Sequence, residues 1–400
     1  MKIGLVIFQS EESRGGAERY TVDIAEGLAA RGHAVELISS SFGKPIEGVR
    51  RVEVAARSPT RAGKYMQFLK NLDAHLAQTK YDLIHAMLPV KHCDIYHPHA
   101  GMAEATVQSH LTRGGSPARA LALAGNRLNR KRRLYAEVEA GLIYGPDRPI
   151  VLCLSDYSKG IVLRHYPDIG DQLVKLFNGT DLKRFNPAAH AAARSAVRED
   201  FGIAHDTTVG LMIAQNFQRK GLAEVIAATA SIARRSGDAA PVIVVLGKDN
   251  SMRGRLQARR MGIEKQIVFA GESKLAADFY AAADFFVLPT RHDSCSLVVL
   301  ESLAMGVPVI STVFNGACEA MTSGVHGYVL DDPSNVPALA DAMTRMLDPR
   351  LRAKMRDACL ALRPSLSQEA HLDRLEEIYR ERIESARHVQ HRPDGNIAET

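Results

Sequence analysis

The sequence predicts an α/β protein of two doubly wound domains facing each other across a cleft. Three observations carry that prediction. Short β-branched runs alternate with longer helical patterns along the chain, the mark of parallel sheets covered on both faces. The alternation occurs twice, broken by the turn-rich Asn178-Gly179-Thr180-Asp181 and by Asn186-Pro187. The length, 400 residues, exceeds what one ordinary core holds.

In the first half, strands are expected near 2–8, 34–38, 51–54, 82–86, 149–153 and 173–176, with helices over 16–31 and 65–78. In the second half, strands fall near 208–213, 242–246, 266–269, 285–288 and 308–311. Helices fall near 221–235, 253–261, 274–282, 297–305 and 335–347. A charged amphipathic helix follows over 367–387, and the last ten residues read as frayed. The domains are therefore 1–180 and 181–370, with 371–400 as a terminal helix and tail. Open α/β sheets bind ligands at the carboxyl ends of their strands, so the cleft is the expected site.

Apolar residues make up 46% of the chain and charged residues 24%, a globular composition rather than a disordered one. No apolar run is long enough for a membrane span. Met1–Phe8 is too short for a signal peptide and is followed by polar and charged residues, so it reads as a buried strand. The five cysteines are scattered with no C-x-x-C pair, which points to a reducing compartment rather than to a disulfide framework or zinc knuckle. The net charge of +6 favours anionic partners without choosing among them.

Three motifs bear chemistry. Arg14-Gly15-Gly16-Ala17-Glu18-Arg19 follows the first strand and opens a helix. Its glycines let a ligand approach backbone amides at a positive helix end, or they are a plain turn pair. Gln218-Arg219-Lys220-Gly221 holds the same place in the second half. Two cations at a helix start conflict with the dipole unless an anion arrives; the bland alternative is a solvated pair. The third motif runs from Pro289 to Ile310. Asp293 and Glu301 bracket Ser294-Cys295-Ser296-Leu297, where free amides at 294–297 could meet a phosphate. Helix capping explains Asp293 alone, but not Glu301.

On these residues the chain resembles the retaining glycosyltransferases of family 4, which have the GT-B fold of two Rossmann-like domains. Asp293 and Glu301 stand where that family carries its E-x7-E pair. Gly15-Gly16 resembles its N-terminal glycine loop, and Arg219-Lys220-Gly221 its diphosphate site. The likeness covers nearly the whole chain. It is strongest to the lipopolysaccharide-core glucosyltransferases, which share the Arg-Lys-Gly triplet where many relatives place the arginine five residues before the lysine, at Gln215 here.

The resemblance implies an acceptor-binding first domain, a nucleotide-sugar-binding second domain, and a C-terminal helix crossing back to the first. It implies a UDP-sugar as substrate, with no cofactor and no metal; the chain contains no D-x-D sequence. Glu301 would bind ribose and Asp293 the donor sugar. Arg219 and Lys220 would hold the departing diphosphate.

His85, His92, His97 and His99 lie close in sequence beside Cys93 and Asp94. Their spacing fits no usual metal-ligand pattern. By resemblance, His99-Ala100-Gly101 presents its histidine to the donor sugar; the alternative is a partly exposed loop histidine. Residues 105–136 contain no acid. They carry Arg113, Arg119, Arg127, Arg130, Lys131, Arg132 and Arg133 interleaved with leucines. That reads as an anionic membrane surface contact or as a solvated face. Nucleic acid is disfavoured because no aromatics are interleaved for stacking apart from Tyr135.

The expected function is transfer of a hexose, glucose first, from a UDP-sugar to a lipopolysaccharide-core heptose or similar glycolipid. The expected location is the cytoplasm, at the inner face of the cytoplasmic membrane. The alternatives are a UDP-sugar 2-epimerase of the same fold and a non-catalytic sugar-nucleotide-binding homologue.

Overall fold

The computed structural model describes residues 1–11, 15–98, 101–103 and 129–390. The chain divides into two compact units. The first takes Met1–Leu154, Ser158–Leu176 and the chain from Leu372 onward; the second takes Ser155–Tyr157 and Phe177–His371.

The first unit is built on β1 (Lys2–Val6), β2 (Ala34–Ser39), β3 (Val49–Glu53), β4 (Leu83–Ala86), β5 (Ile95–Tyr96), β6 (Ile150–Cys153) and β7 (Leu173–Lys175). They form one sheet in the order β3-β2-β1-β4-β5-β6-β7, with every neighbouring pair parallel. Successive side chains of β1 go to opposite faces, as a strand's period of two requires. Ile3 and Leu5 pack with Ile24 and Leu28 of the Gly16–Ala30 helix. Val6 joins Phe68, Leu69 and Leu72 of the Arg61–Gln78 helix on the other face.

The helix Gln368–Gln390 contributes Leu372, Leu375, Ile378 and Tyr379 to the Ile3 face. Burying each of these apolar side chains is worth about 1.5–3 kcal/mol. The Tyr379 hydroxyl meets His85 Nδ1 at 2.6 Å inside this layer.

The second unit has β8 (Val209–Ile213), β9 (Val242–Leu246), β10 (Ile267–Gly271), β11 (Phe285–Val287), β12 (Val309–Thr312) and β13 (Gly327–Leu330). Their order, β10-β9-β8-β11-β12-β13, repeats that of the first six strands of the other sheet, and again all pairs are parallel. β8 sits between β9 and β11, so the strand order reverses there. The loops leaving β8 and β11 part at this switch point, the place where such sheets leave a crevice for ligands.

Two strands and several helices were not expected from the sequence. β5 has two residues within a histidine-rich stretch, and β13 is a half-buried edge strand. β5 is too short to show a period, and β13 opens on Gly327 at φ +137°, a residue that reads as a turn. The Arg61–Gln78 helix starts four residues earlier than expected. Thr60 caps it by accepting from the Gly63 amide at 3.0 Å, and Gly63 itself masks the helical pattern. The helices Asp156–His165 and Pro349–Ala361 carry mixed faces, and the amphipathic Ala193–Asp200 helix is short and precedes the first strand of its unit, outside the strand–helix alternation. The expected frayed tail over 391–400 lies outside the described residues.

Candidate functional site

The loop leaving β8 reaches Asn216, whose side chain accepts from the Arg219 amide at 2.9 Å. That cap starts a single helical turn, Phe217–Lys220. Gly221 ends the turn at φ +85° and starts the long helix Leu222–Ser236. Here the structure corrects the sequence reading. Arg219 and Lys220 belong to the close of their own short turn, where cations suit the dipole, rather than to the first turn of the long helix. A side chain at Gly221 would also strike the Pro289 carbonyl, 2.4 Å from an ideal Cβ. Glycine is needed there both for its conformation and for the close approach.

The two cations separate. Lys220 is buried, and its ammonium donates to Asp293 Oδ2. Arg219 is exposed, and its guanidinium donates to nothing among the described residues. Its carbonyl accepts from the Arg291 amide at 3.0 Å. Arg291 in turn pairs with Glu224 of the long helix at 2.6 Å. The loop leaving β11 is thus tied to the loop leaving β8 by main chain and by the Lys220–Asp293 pair, and to the long helix by the Arg291–Glu224 pair.

Asp293 is fixed on its other side as well. Its amide donates to the Phe314 carbonyl at 2.9 Å, and its carbonyl accepts from the Gly316 amide at 3.0 Å. Asn315 Oδ1 accepts from the amides of Ser296 and Ala317 at 3.3 and 3.2 Å. This corrects the expectation of four free amides at 294–297, since the Ser296 amide is committed to Asn315. The first turn of the Leu297–Ala304 helix keeps the amides of Leu297 and Val298, which a helix start leaves without intrahelical partners. Ser294 offers its carbonyl to the Ser155 hydroxyl at 2.6 Å. Cys295 is buried, and burial pushes its thiol well up, so it shapes the loop by its backbone.

Glu301 lies one turn into that helix and is buried. Its Oε2 is 3.1 Å from the Tyr280 hydroxyl, whose single proton is shared between this carboxylate and the Val298 carbonyl at 2.8 Å. Burial, followed by the Glu301 charge, raises the Tyr280 phenol well above its ordinary value, so it stays a donor. Sequence reasoning missed Tyr280, Asn315 and Glu224. Asn315-Gly316 carried a usable signal, a turn dipeptide at a strand's carboxyl end. Tyr280 carried none, because it reads as a core aromatic.

In the first unit, Gly15 is extended at φ 177°, a conformation open to any residue, and Gly16 begins the Gly16–Ala30 helix. His99, Arg113, Arg119 and Arg127 lie outside the described residues. Arg130, Lys131, Arg132 and Arg133 form the first turn of the Arg130–Ile143 helix, capped by Asn129. They do not share one solvated face. Arg130 and Arg133 are exposed, but Lys131 rests over the Tyr135 ring, 4.9 Å from its centroid, and burial followed by Arg61 lowers its pKa. The clustered histidines also part. His85 and His97 are buried and stacked with ring centroids 5.6 Å apart, whereas His92 pairs with Asp147 at 2.7 Å.

Two family descriptions match the chain. "Glycosyltransferase Family 4" covers residues 14–184 and "Glycosyl transferases group 1" residues 207–349. The lipopolysaccharide glucosyltransferase WaaG of Escherichia coli K12 is 23% identical over 335 residues, covering 83% of this chain and 86% of WaaG. A D-inositol 3-phosphate glycosyltransferase of Nocardiopsis dassonvillei is 27% identical over 394 residues, covering 92% and 89%. Among solved structures, WaaG superposes with a TM-score of 0.77 at 21% identity, covering 94% of this chain and 99% of that one. Anabaena Alr3699/HepE in complex with UDP and glucose gives 0.69 at 16%, covering 94% and 98%. With both descriptions in order along two parallel sheets of repeated strand order, the chain belongs to the family 4 and group 1 glycosyltransferases and has the GT-B fold.

Proposed function

We propose that this enzyme transfers a hexose, glucose first, from UDP-glucose or a similar donor to a lipopolysaccharide-core heptose or a similar glycolipid, with retention and without a metal. The observation that carries the reading is the grouping of Arg219, Lys220, Asp293 and Glu301 about the loops that leave β8 and β11. The likeness to a lipopolysaccharide glucosyltransferase over most of both chains supports the acceptor class.

In this reading Glu301 accepts from the ribose hydroxyls, held in place by Tyr280. Asp293 accepts from a hydroxyl of the donor sugar, and Ser294, Cys295, Ser296 and Leu297 carry the backbone that faces it. Lys220 has three donors, so its ammonium can keep Asp293 while it meets a phosphate oxygen. The exposed Arg219 guanidinium can swing onto the same diphosphate and grip it in two-pronged fashion. Both cations then neutralise charge that grows on the leaving diphosphate, a form of electrostatic stabilisation worth several kcal/mol. The acceptor hydroxyl attacks from the face the diphosphate leaves. By the family resemblance alone, Gly15, Gly16 and His99 are further donor contacts. Arg113, Arg119 and Arg127, with exposed Arg130 and Arg133, hold the enzyme at the anionic inner face of the cytoplasmic membrane.

Thermal melting with a panel of nucleotides and sugar nucleotides tests the donor site. A ligand bound by the folded state alone raises the melting temperature. UDP-sugars should stabilise the wild type and lose that effect in Glu301→Ala and Lys220→Ala. No shift with any nucleotide would overturn the reading. Product analysis without acceptor separates transfer from 2-epimerisation, which alone would convert the sugar.

A further inference from the structure

The second unit has a concave site on the opposite edge of its sheet from the loops described above. A cavity of about 410 Å³ opens there. Its walls come from Ala281–Asp284, just before β11, and from Met305–Pro308, just before β12. The segment Pro187–Arg194 and one face of the Pro349–Ala361 helix complete it. These positions precede strands and so mark the amino edge of the sheet. The Lys220–Asp293 pair lies at the carboxyl edge. The two sites are separated by the length of the strands.

The charge at this edge is unbalanced. Arg352 and Arg356 stand one turn apart on the helix face, and Arg194 adds a third guanidinium to the wall. Asp284 is the carboxylate among them. It already accepts from Arg194 and Arg198 at 2.8 Å each, and from the Val209 amide at 2.8 Å. Arg198 lies behind the wall, 1% exposed, with donors engaged by the carbonyls of Ala282, Ala204, His205 and Thr207. Arg352 donates to the Met346 carbonyl and lies 3.4 Å from the Thr208 hydroxyl. Arg356 is exposed and donates to nothing among the described residues. Arg194 also donates to the carbonyls of Ala281, Ala282 and Ala283 at 3.3, 3.3 and 3.4 Å. Arg194 and Arg198 are thus committed to Asp284 and the helix end, and Arg352 and Arg356 are the cations that face the cavity without a carboxylate. Burial lowers the pKa of Arg198, and the charges of Arg194 and Arg352 push it the same way against the pull of Asp284.

We propose that this cavity binds a phosphomonoester of sugar size, with Arg356 and Arg352 on the phosphate and Pro187, Pro308 and Pro349 along the organic part. Guanidinium forks match phosphate oxygens in geometry and charge. The volume falls in the lower range of small-molecule pockets. A bound dianion would relieve the repulsion among the arginines and stabilise the second unit. The site is independent of the proposed donor site, and so is its test.

Calorimetric titration with glucose 6-phosphate and with inorganic phosphate, at ionic strength matched by chloride, tests it on the full chain. Saturable binding is expected in the wild type. Arg356→Gln, which removes an exposed side chain without internal bonds, should weaken it at least tenfold. Ala353→Glu, which places a carboxylate at the exposed rim, should abolish it. Lys220→Ala should bind as the wild type does. Vesicles carrying phosphatidic acid separate the two sources of this chemistry: retention lost in Arg356→Gln assigns a lipid headgroup, and glucose 6-phosphate binding without retention assigns a free sugar phosphate. The proposal is overturned if no titrant saturates, if Arg356→Gln and Ala353→Glu bind as the wild type does, or if Lys220→Ala removes the binding.

Discussion

The ammonium of Lys220 donates to Asp293 Oδ2 and so ties the loop leaving β8 to the loop leaving β11. Both side chains are largely withdrawn from water, at 11% and 20% exposure. Asp293→Ala would leave a buried cation without its partner, and should lower unfolding free energy by about 1–3 kcal/mol in urea. Lys220→Ala should reduce the transfer rate about 100–1,000-fold, the size expected for loss of a group that stabilises leaving charge. A rate within threefold of wild type would remove Lys220 from catalysis.

Tyr280 holds Glu301 by a hydroxyl 3.1 Å from Oε2. Tyr280→Phe keeps the ring and deletes that contact. If Glu301 meets the ribose, KM for the donor should rise about tenfold or more, the equivalent of one hydrogen bond to a charged group of about 1.5 kcal/mol, while kcat stays near wild type. A fall in kcat at constant KM would mean that Tyr280 acts on the chemical step instead.

Gly221 combines φ +85° with a Pro289 carbonyl 2.4 Å from any Cβ. Gly221→Ala should cost about 2 kcal/mol or more in stability and should displace Lys220 with it. Denaturation midpoints and donor affinity should fall together. A variant as stable as wild type would show that the turn can relax.

Glu36 of β2 gives the first unit an acid sensitivity. Burial pushes its carboxyl up, but the hydrogen bonds from Tyr81 and Lys2 and the charges of Lys2 and Arg50 outweigh this and leave its pKa below the ordinary value. The folded state therefore binds this proton less readily than the unfolded state. The stability Glu36 adds is present above the unfolded value of about 4.3 and is lost as pH falls through the lowered folded value. Glu36→Gln should flatten the dependence of melting temperature on pH below about 4.3; an unchanged slope would assign the acid sensitivity elsewhere.

All five cysteines are free and buried. Burial pushes the thiols of Cys318 and Cys359 up to about 12, so neither yields thiolate near neutrality. A thiol-reactive dye should label the native enzyme negligibly at pH 8, and all five sites after denaturation. Rapid labelling of the native chain would show local opening at one of these positions.

The sheets were legible because β8 and β9 are uninterrupted apolar runs and β1 is one from Ile3 onward, nearly all of it buried. The site motifs were legible because charged residues at strand ends have no reason to lie there for packing. What escaped has physical causes. β5 has too few residues to display a period, and β13 starts on a glycine that reads as a turn. Asn315 and Tyr280 act through single side chains at distances that only folding sets, 3.3 Å to the Ser296 amide and 3.1 Å to Glu301. The basic run at 130–133 looked uniform as letters, yet folding turns Lys131 onto Tyr135 and leaves Arg130 and Arg133 in water.

The Gln368–Gln390 helix carries a consequence for biosynthesis. Its Leu375, Ile378 and Tyr379 complete a layer begun by Ile3 and Leu5, and the Tyr379 hydroxyl bonds to His85. The amino-terminal unit emerges from the ribosome first, but it cannot close until the chain beyond Leu372 has been made. The second unit, continuous from Phe177 to His371 apart from three residues made earlier, can fold while its predecessor still waits with an open apolar face. The order of synthesis and the order of completion are therefore reversed, and the waiting face is where a nascent-chain chaperone would be expected to bind.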